Sequence, residues 1–486
     1  MVKKAGVGTG MRTLKAMLSN ITIGFMTALA LSSCEQATDV SSNQTTPKQG
    51  MVKSTERPNI VLVFVDDLGF GDVSMNGANF IKTPNIDSIA NAGVRLTDFH
   101  ASANVCTPSR AGLLTGRYAV RAGLGKKVVY AASTHGLSGN EITLAEVLKT
   151  VGYRTGIFGK WHLGHQAGMR PTEQGFDKFI GVPYSHDMQP LPLMEGTNII
   201  NENVSLPSLT RLFTDEAISF IETDSASPFF IYLPYTAPHE PLKPEDDHIN
   251  SSKASAYGDV VQELDFHIGR ILHTLKQKGI LDNTLVVFTS DNGPWWEGSA
   301  GDLAGRKGGV KDGAYRVPFA AQWPNSIPAG TVSDAMTMNI DLFPTLANIA
   351  GAKLPTDLIL DGRDIADVFH GEEKSPHETL LFFNQGEIGA IRTERYRFVT
   401  EVPYANYRIP VGKFGKFLLY DMEMGKESYS VARDHMDVVG DMLAEWRKAH
   451  EELESIPQMV SGQPDISFIF SLPIPNPEQT KTQEKK

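Results

Sequence analysis

Residues 59–69 read Asn-Ile-Val-Leu-Val-Phe-Val-Asp-Asp-Leu-Gly, so a largely apolar run ends abruptly at Asp66 and Asp67. An uninterrupted run of this kind is typical of a strand that is buried on both faces of a sheet. Three later runs have the same form and end in polar residues: 153–158 before Lys160 and His162, 229–233 before His239, and 284–289 before Asp291 and Asn292. The chain therefore repeats one design, a buried strand followed closely by polar side chains.

Helical segments separate these runs. Segments 141–151 and 257–278 carry apolar residues at helical spacing, and Thr83-Pro84 opens a short helix that ends near Gly93. Strands that alternate with helices predict an α/β fold, with a large, doubly wound, mainly parallel sheet and helices on both faces. In such sheets ligands bind beyond the carboxyl ends of the strands, so we expect the polar side chains to converge on one crevice, as in an enzyme.

The pattern changes near residue 376. Segments 379–383, 388–392, 396–400 and 417–421 are typical of short antiparallel strands, and a helix is expected from about 438 to 453. We therefore predict a catalytic domain over 58–375 and a smaller C-terminal α+β subdomain over 376–472, in which an antiparallel sheet packs with a helix. The tail 473–486 is rich in Pro, Gln and Lys and is expected to be disordered.

The N-terminal segment has the features of a processed leader. Four basic residues precede an apolar run over 21–31 that is too short to span a bilayer. The run ends in Leu-Ser-Ser-Cys at 31–34, which resembles the bacterial lipoprotein cleavage box, with lipid attached to Cys34. We therefore expect a signal peptide over 1–33, a flexible tether over 34–57, and an exported outer-membrane lipoprotein in the periplasm or at the cell surface. The alternatives are a plain secretory signal and translation from Met11 rather than Met1.

Composition limits the partners. The chain has 486 residues, 41% hydrophobic and 21% charged, as in ordinary globular proteins. Its two cysteines, Cys34 and Cys106, exclude a disulfide framework. The formal net charge is −11, and the leader holds only basic charges, so the mature chain is more acidic still. We expect no binding to nucleic acid, membrane contact only through the N-terminal lipid, and a local cationic pocket for any anionic substrate.

Segment 106–117 reads Cys-Thr-Pro-Ser-Arg-Ala-Gly-Leu-Leu-Thr-Gly-Arg. Pro108 suits the first position of a helix, which would place Cys106 just ahead of a helix N-terminus, where an anion is favoured. A lone Cys in such a place is ordinarily a buried structural residue. This run, however, resembles the signature of the type I, formylglycine-dependent sulfatases, which are arylsulfatase A-like members of the alkaline phosphatase superfamily. In that family the Cys of the Cys-x-Pro-Ser-Arg motif is oxidised to formylglycine, an aldehyde that is hydrated at rest.

The resemblance implies a metal site with one calcium ion per subunit, since calcium prefers hard oxygen ligands. The implied metal ligands are Asp66, Asp67, Cys106 as formylglycine, Asp291 and Asn292. Without the resemblance, Asp-Asp-x-Gly and Asp-Asn-Gly are also sequences that commonly form turns.

The resemblance also implies roles for five further residues. Arg110 would hold the formylglycine hydrate beside the metal, and His162 would bond to the hydrate and act as the base. Lys160 would reach a sulfate oxygen, while His239 and Lys307 would hold the ester oxygen and support the leaving group. The Asp-Gly-Ala at 312–314 stands where the family usually has Glu-Gly-Gly, and 427–432 departs from an Asn-Leu-Ala-like segment.

The expected activity is hydrolysis of sulfate monoesters on a sulfated polysaccharide or oligosaccharide. One hydroxyl of the hydrate would attack sulfur, and the second would allow sulfate to leave and the aldehyde to re-form. Maturation requires a formylglycine-generating enzyme as partner. Segment 181–188 resembles a loop of related sulfatases and makes Tyr184, His186 and Asp187 candidates for a sugar subsite. Trp295 and Trp296 either stack on a sugar or pack internally.

Two alternatives remain open. The first is a phosphonate or phosphate monoester hydrolase with the same fold. The second is a catalytically silent, glycan-binding lipoprotein that has kept the fold but is not matured at Cys106.

Overall fold

The computed structural model describes residues 57–404, 407–410, 417–424 and 427–456. The predicted signal peptide, Cys34, almost the whole tether and the tail 473–486 lie outside the described residues, so these predictions stay predictions. No helix in the described ranges is both long enough and apolar enough to cross a bilayer.

Strands and helices alternate through most of the described chain. The strands are, in chain order, β1 (Asn59–Val65), β2 (Val94–Leu96), β3 (Phe99–His100), β4 (Arg154–Lys160), β5 (Lys178–Val182), β6 (Leu193–Glu195), β7 (Asn198–Asn201), β8 (Phe229–Pro234), β9 (Thr284–Ser290), β10 (Phe319–Gln322), β11 (Thr331–Ser333), β12 (Thr337–Met338), β13 (Leu380–Asn384), β14 (Glu387–Arg392), β15 (Tyr396–Val399), β16 (Glu401–Tyr404), β17 (Tyr407–Pro410) and β18 (Leu418–Asp421). The helices are α1 (Pro84–Ala92), α2 (Cys106–Thr115), α3 (Leu144–Lys149), α4 (Leu209–Glu222), α5 (Ser255–Gln277), α6 (Leu342–Ile349), α7 (Ala366–Phe369) and α8 (Met436–Glu454).

The large sheet has the strand order β11-β2-β10-β9-β1-β8-β4-β5-β6-β7. Its centre, β9-β1-β8-β4-β5, is entirely parallel. Antiparallel pairing begins on one side where β10 joins β9 and on the other where β6 joins β5. The carboxyl ends of the four strands predicted from the sequence therefore lie side by side at one edge of the parallel centre.

Each central strand is buried on both faces, as its apolar sequence requires. In β1, Ile60, Leu62 and Phe64 face one hydrophobic cluster, which includes residues of α2, α3 and α6. The intervening Val61 and Val63 face a second cluster, which includes residues of α1, α4 and α5. Helices thus cover both faces of a mainly parallel sheet, and the predicted fold class is confirmed.

The smaller sheet is antiparallel, with strand order β13-β14-β15-β18. Helix α8 packs on it, and Trp446 of that helix donates a hydrogen bond from Nε1 to the carbonyl oxygen of Ile388 at 3.1 Å. Tyr118 and Val120, which follow α2, share one hydrophobic cluster with Phe382 and Trp446. The small sheet is therefore packed directly against the segment that follows the Cys106 motif.

The two departures from the family pattern contact each other. The backbone N–H of Asp312 donates to Oε2 of Glu427 at 2.8 Å. The Asp312 side chain is 1% exposed and pairs with Arg316 at 2.8 Å and with His100 at 3.1 Å. Glu427 in turn pairs with Arg397 of β15 at 2.9 Å. These residues form a buried ionic network that links segment 312–316 to the small sheet.

One local prediction differs from the structure, and one helix was not predicted. Helix α2 begins at Cys106 itself, with Val105 as its N-cap, rather than at Pro108. Proline fits there because the N–H groups of the first turn have no partner within the helix. Helix α4 was not predicted, although its buried residues recur at helical spacing and face β4 and β8.

Candidate active site

Four neighbouring strands deliver the polar residues to one place. Asp66 and Asp67 follow β1, Asp291 and Asn292 follow β9, and Lys160 is the last residue of β4. His239 lies five residues beyond the end of β8, and Cys106 begins α2. The ligand atoms of Asp66, Asp67, Cys106 and His239 all lie within 4.8 Å of one another. The convergence expected from the sequence is therefore present in the structure.

Cys106 lies between a carboxylate and an ammonium group. Its Sγ lies 3.4 Å from Oδ1 of Asp66 and 3.4 Å from Nζ of Lys307. The side chain is 2% exposed, and burial together with the Asp66 charge raises the pKa of the thiol. An unmodified Cys106 is consequently a protonated thiol at neutral pH, which is a poor nucleophile.

Three buried carboxylates are each paired with a cation. Lys160 Nζ lies 2.5 Å from Asp66, Lys307 Nζ lies 2.6 Å from Asp67, and Arg110 Nη2 lies 2.7 Å from Asp291. The pairs neutralise one another, so the carboxylates can be buried without a net charge.

The carboxylates also affect each other. Burial and the neighbouring Asp66 charge raise the pKa of Asp291 to about 7. Burial alone would raise the pKa of Asp66 too, but Lys160 and Arg110 hold it well below its ordinary range. A cation placed among these oxygens would relieve the remaining repulsion.

Asn292 supplies the clearest sign that the site accepts a metal. Its Nδ2 donates to Oδ1 of Asp67 at 2.7 Å, and its Oδ1 is buried without a hydrogen-bond partner among the described residues. A buried amide oxygen without a partner is costly unless a ligand satisfies it. Together with the carboxylate oxygens of Asp66, Asp67 and Asp291 it forms a donor set that fits a hard divalent cation.

Two of the site residues have strained backbones. Asp67 has φ 65° and His162 has φ 60°, in the left-handed region that most residues other than glycine avoid. Aspartate tolerates this conformation better than most residues, because its short polar side chain can bond locally. Such outliers cluster at functional sites, where the surrounding structure holds them in place.

The two histidines are oriented differently. His162 is held through Nε2 by the carbonyl oxygen of Val129 at 2.9 Å, and Thr107 Oγ1 donates to its backbone oxygen at 2.8 Å. Because a carbonyl only accepts, Nε2 carries the proton and Nδ1 is unprotonated. Burial, followed by the charges of Lys160 and Arg110, lowers the pKa of His162 well below its usual range, so the ring is neutral.

His239 also lies beside the carboxylates. Its Nδ1 bonds to the carbonyl oxygen of Glu240 at 2.5 Å, and its Nε2 lies 3.6 Å from Oδ2 of Asp67. The side chain is 14% exposed and lines the open crevice. It is therefore placed to meet a substrate that enters from solvent.

The loop after β5 is only partly as predicted. Asp187 is exposed and lines the crevice. His186 is buried, and its Nε2 bonds to the carbonyl oxygen of His239 at 3.0 Å, so it contacts the backbone of His239. Tyr184 is 5% exposed, its hydroxyl donates to Pro190 O at 2.5 Å, and it does not line the crevice.

Sequence reasoning missed two residues of the site. Ser185 Oγ accepts a hydrogen bond from Lys160 Nζ at 3.1 Å and lines the crevice beside Cys106. Its position between Tyr184 and His186, both singled out, was the available signal. Asn384, at the end of β13, lines the same crevice and bonds to Asn104 at 3.0 Å. No local sequence pattern identifies Asn384 as a site residue, because it reaches the crevice only through the packing of the small sheet.

The crevice has two lobes that share Asp187, His239 and Lys307. The first, about 680 Å³, also includes Asp67, Glu240, Lys243 and Trp295, and we call it the Trp295 lobe. The second, about 440 Å³, also includes Cys106, Lys126, Lys127, His162 and Ser185, and we call it the Lys127 lobe. The carboxylate cluster thus lies where the two lobes meet.

The fold, the Cys106 motif and the buried carboxylate cluster define a class of ester hydrolase. A Sulfatase family model matches residues 58–352, and a model for the C-terminal part of N-sulphoglucosamine sulphohydrolase matches residues 307–422. The chain belongs to the type I sulfatases of the alkaline phosphatase superfamily and is a sulfuric ester hydrolase.

Individual relatives agree with this assignment. Human arylsulfatase G is 37% identical over 402 residues, which cover 70% of this chain and 75% of that protein. The crystal structure of Ps i-CgsB in complex with k-i-k-neocarrahexaose matches with a TM-score of 0.74 and 27% identity, covering 88% of this chain and 99% of that one. The PsFucS1 sulfatase from Pseudoalteromonas sp. matches with a TM-score of 0.76 and 28% identity, covering 84% and 92%.

Proposed function

We propose that the protein hydrolyses sulfate monoesters on a sulfated polysaccharide or oligosaccharide, using formylglycine formed from Cys106 and one bound calcium ion. The observation that carries the proposal is the position of Cys106 Sγ, 3.4 Å from both Asp66 Oδ1 and Lys307 Nζ. Residue 106 therefore lies against the oxygen cluster that fits a metal and beside a cation that can neutralise sulfate.

The modified residue supplies what the thiol lacks. As a hydrated aldehyde, residue 106 would offer two hydroxyl groups on one carbon, one to attack sulfur and one to release sulfate afterwards. Arg110, which is fully buried, is fixed by Asp291 and lies 3.5 Å from Asp66, so its charge stays beside residue 106. Lys160 and Lys307 carry the positive charge that offsets the growing charge on the sulfuryl oxygens.

The histidines suit the two proton transfers. His162 is neutral, and its unprotonated Nδ1 has no partner among the described residues, so it can accept a proton from residue 106. His239 lines the open crevice beside Asp67, which suits a donor to the leaving oxygen. Ser185 keeps Lys160 positioned through its 3.1 Å hydrogen bond.

Calcium is the metal we propose. The ligands would be Asp66, Asp67, Asp291, Asn292 and the modified residue 106, a set of oxygen donors that calcium accommodates in flexible geometry. When bound, calcium would draw negative charge from the sulfate oxygens. Zinc is disfavoured because the cluster offers only one histidine, His239, among the grouped ligands.

Two arguments support a carbohydrate substrate. The structural relative Ps i-CgsB was crystallised with k-i-k-neocarrahexaose. The expected leader and the lipid on Cys34 would place this protein in the periplasm or at the cell surface, where sulfated polysaccharide arrives. Maturation of Cys106 would need a formylglycine-generating enzyme in the same cell.

The test compares ester hydrolysis by protein co-produced with a formylglycine-generating enzyme. An aryl sulfate, the matching aryl phosphate and a panel of carrageenan, chondroitin sulfate and heparin are supplied with calcium, and released sulfate or phosphate is measured. We expect sulfate release that requires calcium and is absent from Cys106→Ala. Faster phosphate release would favour the phosphate or phosphonate ester alternative, and glycan binding without any release would favour the silent binding protein.

A further inference from the structure

A third cavity continues the crevice beyond Trp295. This outer groove encloses about 930 Å³ and is lined by Trp295, Trp296, Arg306 and other residues of the glycine-rich segment 299–311. Trp295 and Lys307 line both the outer groove and the Trp295 lobe, and Lys307 also lines the Lys127 lobe. The three cavities therefore meet at Lys307 and form one trough, with Cys106 in the Lys127 lobe.

The tryptophans in this trough are unusually exposed. Trp295 is 38% exposed and Trp296 is 70% exposed, with their rings 5.8 Å apart and inclined by 66°. Their loop is held in place because Arg306 Nη1 donates to Trp295 O at 2.8 Å and to Gly298 O at 2.5 Å. A fixed loop that leaves two aromatic side chains exposed beside the cations Arg306, Lys307 and Lys311 suits a ligand with both apolar and polar surfaces, such as a sulfated sugar ring.

The Lys127 lobe carries positive charge, since Lys126, Lys127 and Lys307 line it against one acid, Asp187. The Lys127 side chain is exposed. The chain as a whole has a formal net charge of −11, so the lysines of this lobe oppose the general charge of the molecule. Local cations of this kind attract an anionic ligand where the rest of the surface repels it.

We propose that the trough binds a multiply anionic carbohydrate chain on both sides of the ester that is cleaved. One end of the chain stacks on Trp295 and Trp296, and a further sulfate or carboxylate beyond the other side contacts Lys127. The enzyme then removes sulfate from inside a chain and not only from its end. This inference rests on the proposed action on carbohydrate and adds the length, charge and position of the substrate.

The experiment measures kcat/KM of the calcium-loaded, formylglycine-containing enzyme on an aryl sulfate, and on disaccharide and hexasaccharide fractions of carrageenan, chondroitin sulfate and heparin. We expect hexasaccharides of one polymer to exceed its disaccharides, with sulfate lost from internal units by mass spectrometry. Trp296→Ala should raise KM for the hexasaccharide by about three- to tenfold, the range for loss of one aromatic contact. Lys127→Ala should also raise KM for the hexasaccharide, and this increase should become smaller as the salt concentration rises.

Two variants serve as matched controls. Phe80→Ala removes another aromatic side chain, 63% exposed, that does not line the three cavities, and Lys353→Ala removes an exposed lysine elsewhere. Both should leave the hexasaccharide KM unchanged. The inference is overturned if the aryl sulfate is hydrolysed but chain length has no effect, if only terminal sulfate is lost, or if Trp296→Ala behaves like Phe80→Ala. Failure to hydrolyse any sulfate ester would instead refute the proposed function.

Discussion

Sγ of Cys106 lies 3.4 Å from Oδ1 of Asp66, and both side chains are buried. A thiol so close to a carboxylate is kept protonated, and the pKa of Cys106 is raised by burial first and by Asp66 second. The Cys106 thiol therefore occupies a position that suits a nucleophile, but as a protonated thiol it cannot act as one. Conversion of Cys106 to an oxygen-bearing group resolves this mismatch, because a hydroxyl there would face both the oxygen cluster and Lys307.

Replacing Cys106 by serine separates the first chemical step from turnover. In a host whose maturation enzyme converts only cysteine, Cys106→Ser has a single hydroxyl and no second one to release sulfate. We expect no multiple turnover of an aryl sulfate, and at most one equivalent of alcohol per enzyme in a rapid-mixing assay. Sustained turnover by this variant would contradict the formylglycine mechanism.

Calcium should stabilise the protein through the oxygen cluster. A ligand that binds only the folded state at about 100 times its dissociation constant stabilises it by about 2.7 kcal/mol. Calcium added to chelator-treated protein is therefore expected to raise Tm, and Asp67→Asn should remove most of this rise, because Asp67 is one of the clustered ligands.

The matched control for calcium binding is Asp246→Asn, which changes an exposed aspartate elsewhere and should keep the full rise in Tm. Magnesium should stabilise less than calcium, since it dehydrates reluctantly and demands stricter geometry. An equal rise in Asp67→Asn and in the unchanged protein would show that calcium binds elsewhere.

The ionic network around Asp312 should be important for stability rather than catalysis. Asp312 is 1% exposed and faces Arg316, Arg392 and Arg397. Asp312→Asn would remove one counter-charge from this buried network and leave Asp98 and Glu427 to neutralise all three arginines. Loss of one partner from a buried ion pair costs about 3–5 kcal/mol. Urea unfolding is expected to show a loss of this order, whereas Asp224→Asn, in a solvent-exposed pair, should change stability by less than about 1 kcal/mol.

Glu263 gives stability a specific pH dependence. Burial raises the pKa of Glu263 to about 7 from an ordinary 4.5, so the folded protein holds this proton more tightly than the unfolded chain. The contribution of Glu263 to stability is therefore present below its unfolded pKa and is lost as pH rises towards its folded pKa. Each pH unit between the two values corresponds to about 1.4 kcal/mol.

The variant Glu263→Gln removes this titration and can still accept the 2.8 Å hydrogen bond from the backbone N–H of Glu245. The variant should gain stability relative to the unchanged protein as pH rises from 5 to 8, in urea titrations at several pH values. Glu222→Gln, at an exposed position, is the control and should show no such trend. A constant difference between Glu263→Gln and the unchanged protein at all pH values would contradict the assignment.

The strands could be predicted because the apolar pattern of each strand lies within its own short stretch of sequence. The run 59–65 is buried on both faces, and its apolar sequence alone requires this. The short strands of the small sheet were likewise predicted to within two residues, as for β14 (Glu387–Arg392). The antiparallel pairing of β10 with β9 was not predicted, because it joins segments across the glycine-rich region and depends on tertiary packing.

Site residues that directly follow the ends of strands could be predicted from the sequence. Those that reach the site through a loop or through the packing of the small sheet could not. Asp66 and Asp291 come directly after parallel neighbours, so their meeting follows from the topology. Ser185 reaches the crevice through a loop and was marked only by its position between Tyr184 and His186. Asn384 reaches the crevice through the small sheet and has no local pattern that reveals it. Tyr184 was selected from a resemblance, but its hydroxyl is committed to Pro190 O.

The most direct test is the mass of the tryptic peptide that contains residue 106, from protein made in its native host. Conversion of cysteine to formylglycine removes sulfur and two hydrogens and adds one oxygen, so the peptide becomes lighter and reacts with carbonyl reagents. We expect this lighter, aldehyde-bearing peptide, accompanied by calcium-dependent sulfate release. A peptide that retains an unmodified thiol in catalytically active protein would contradict the central claim.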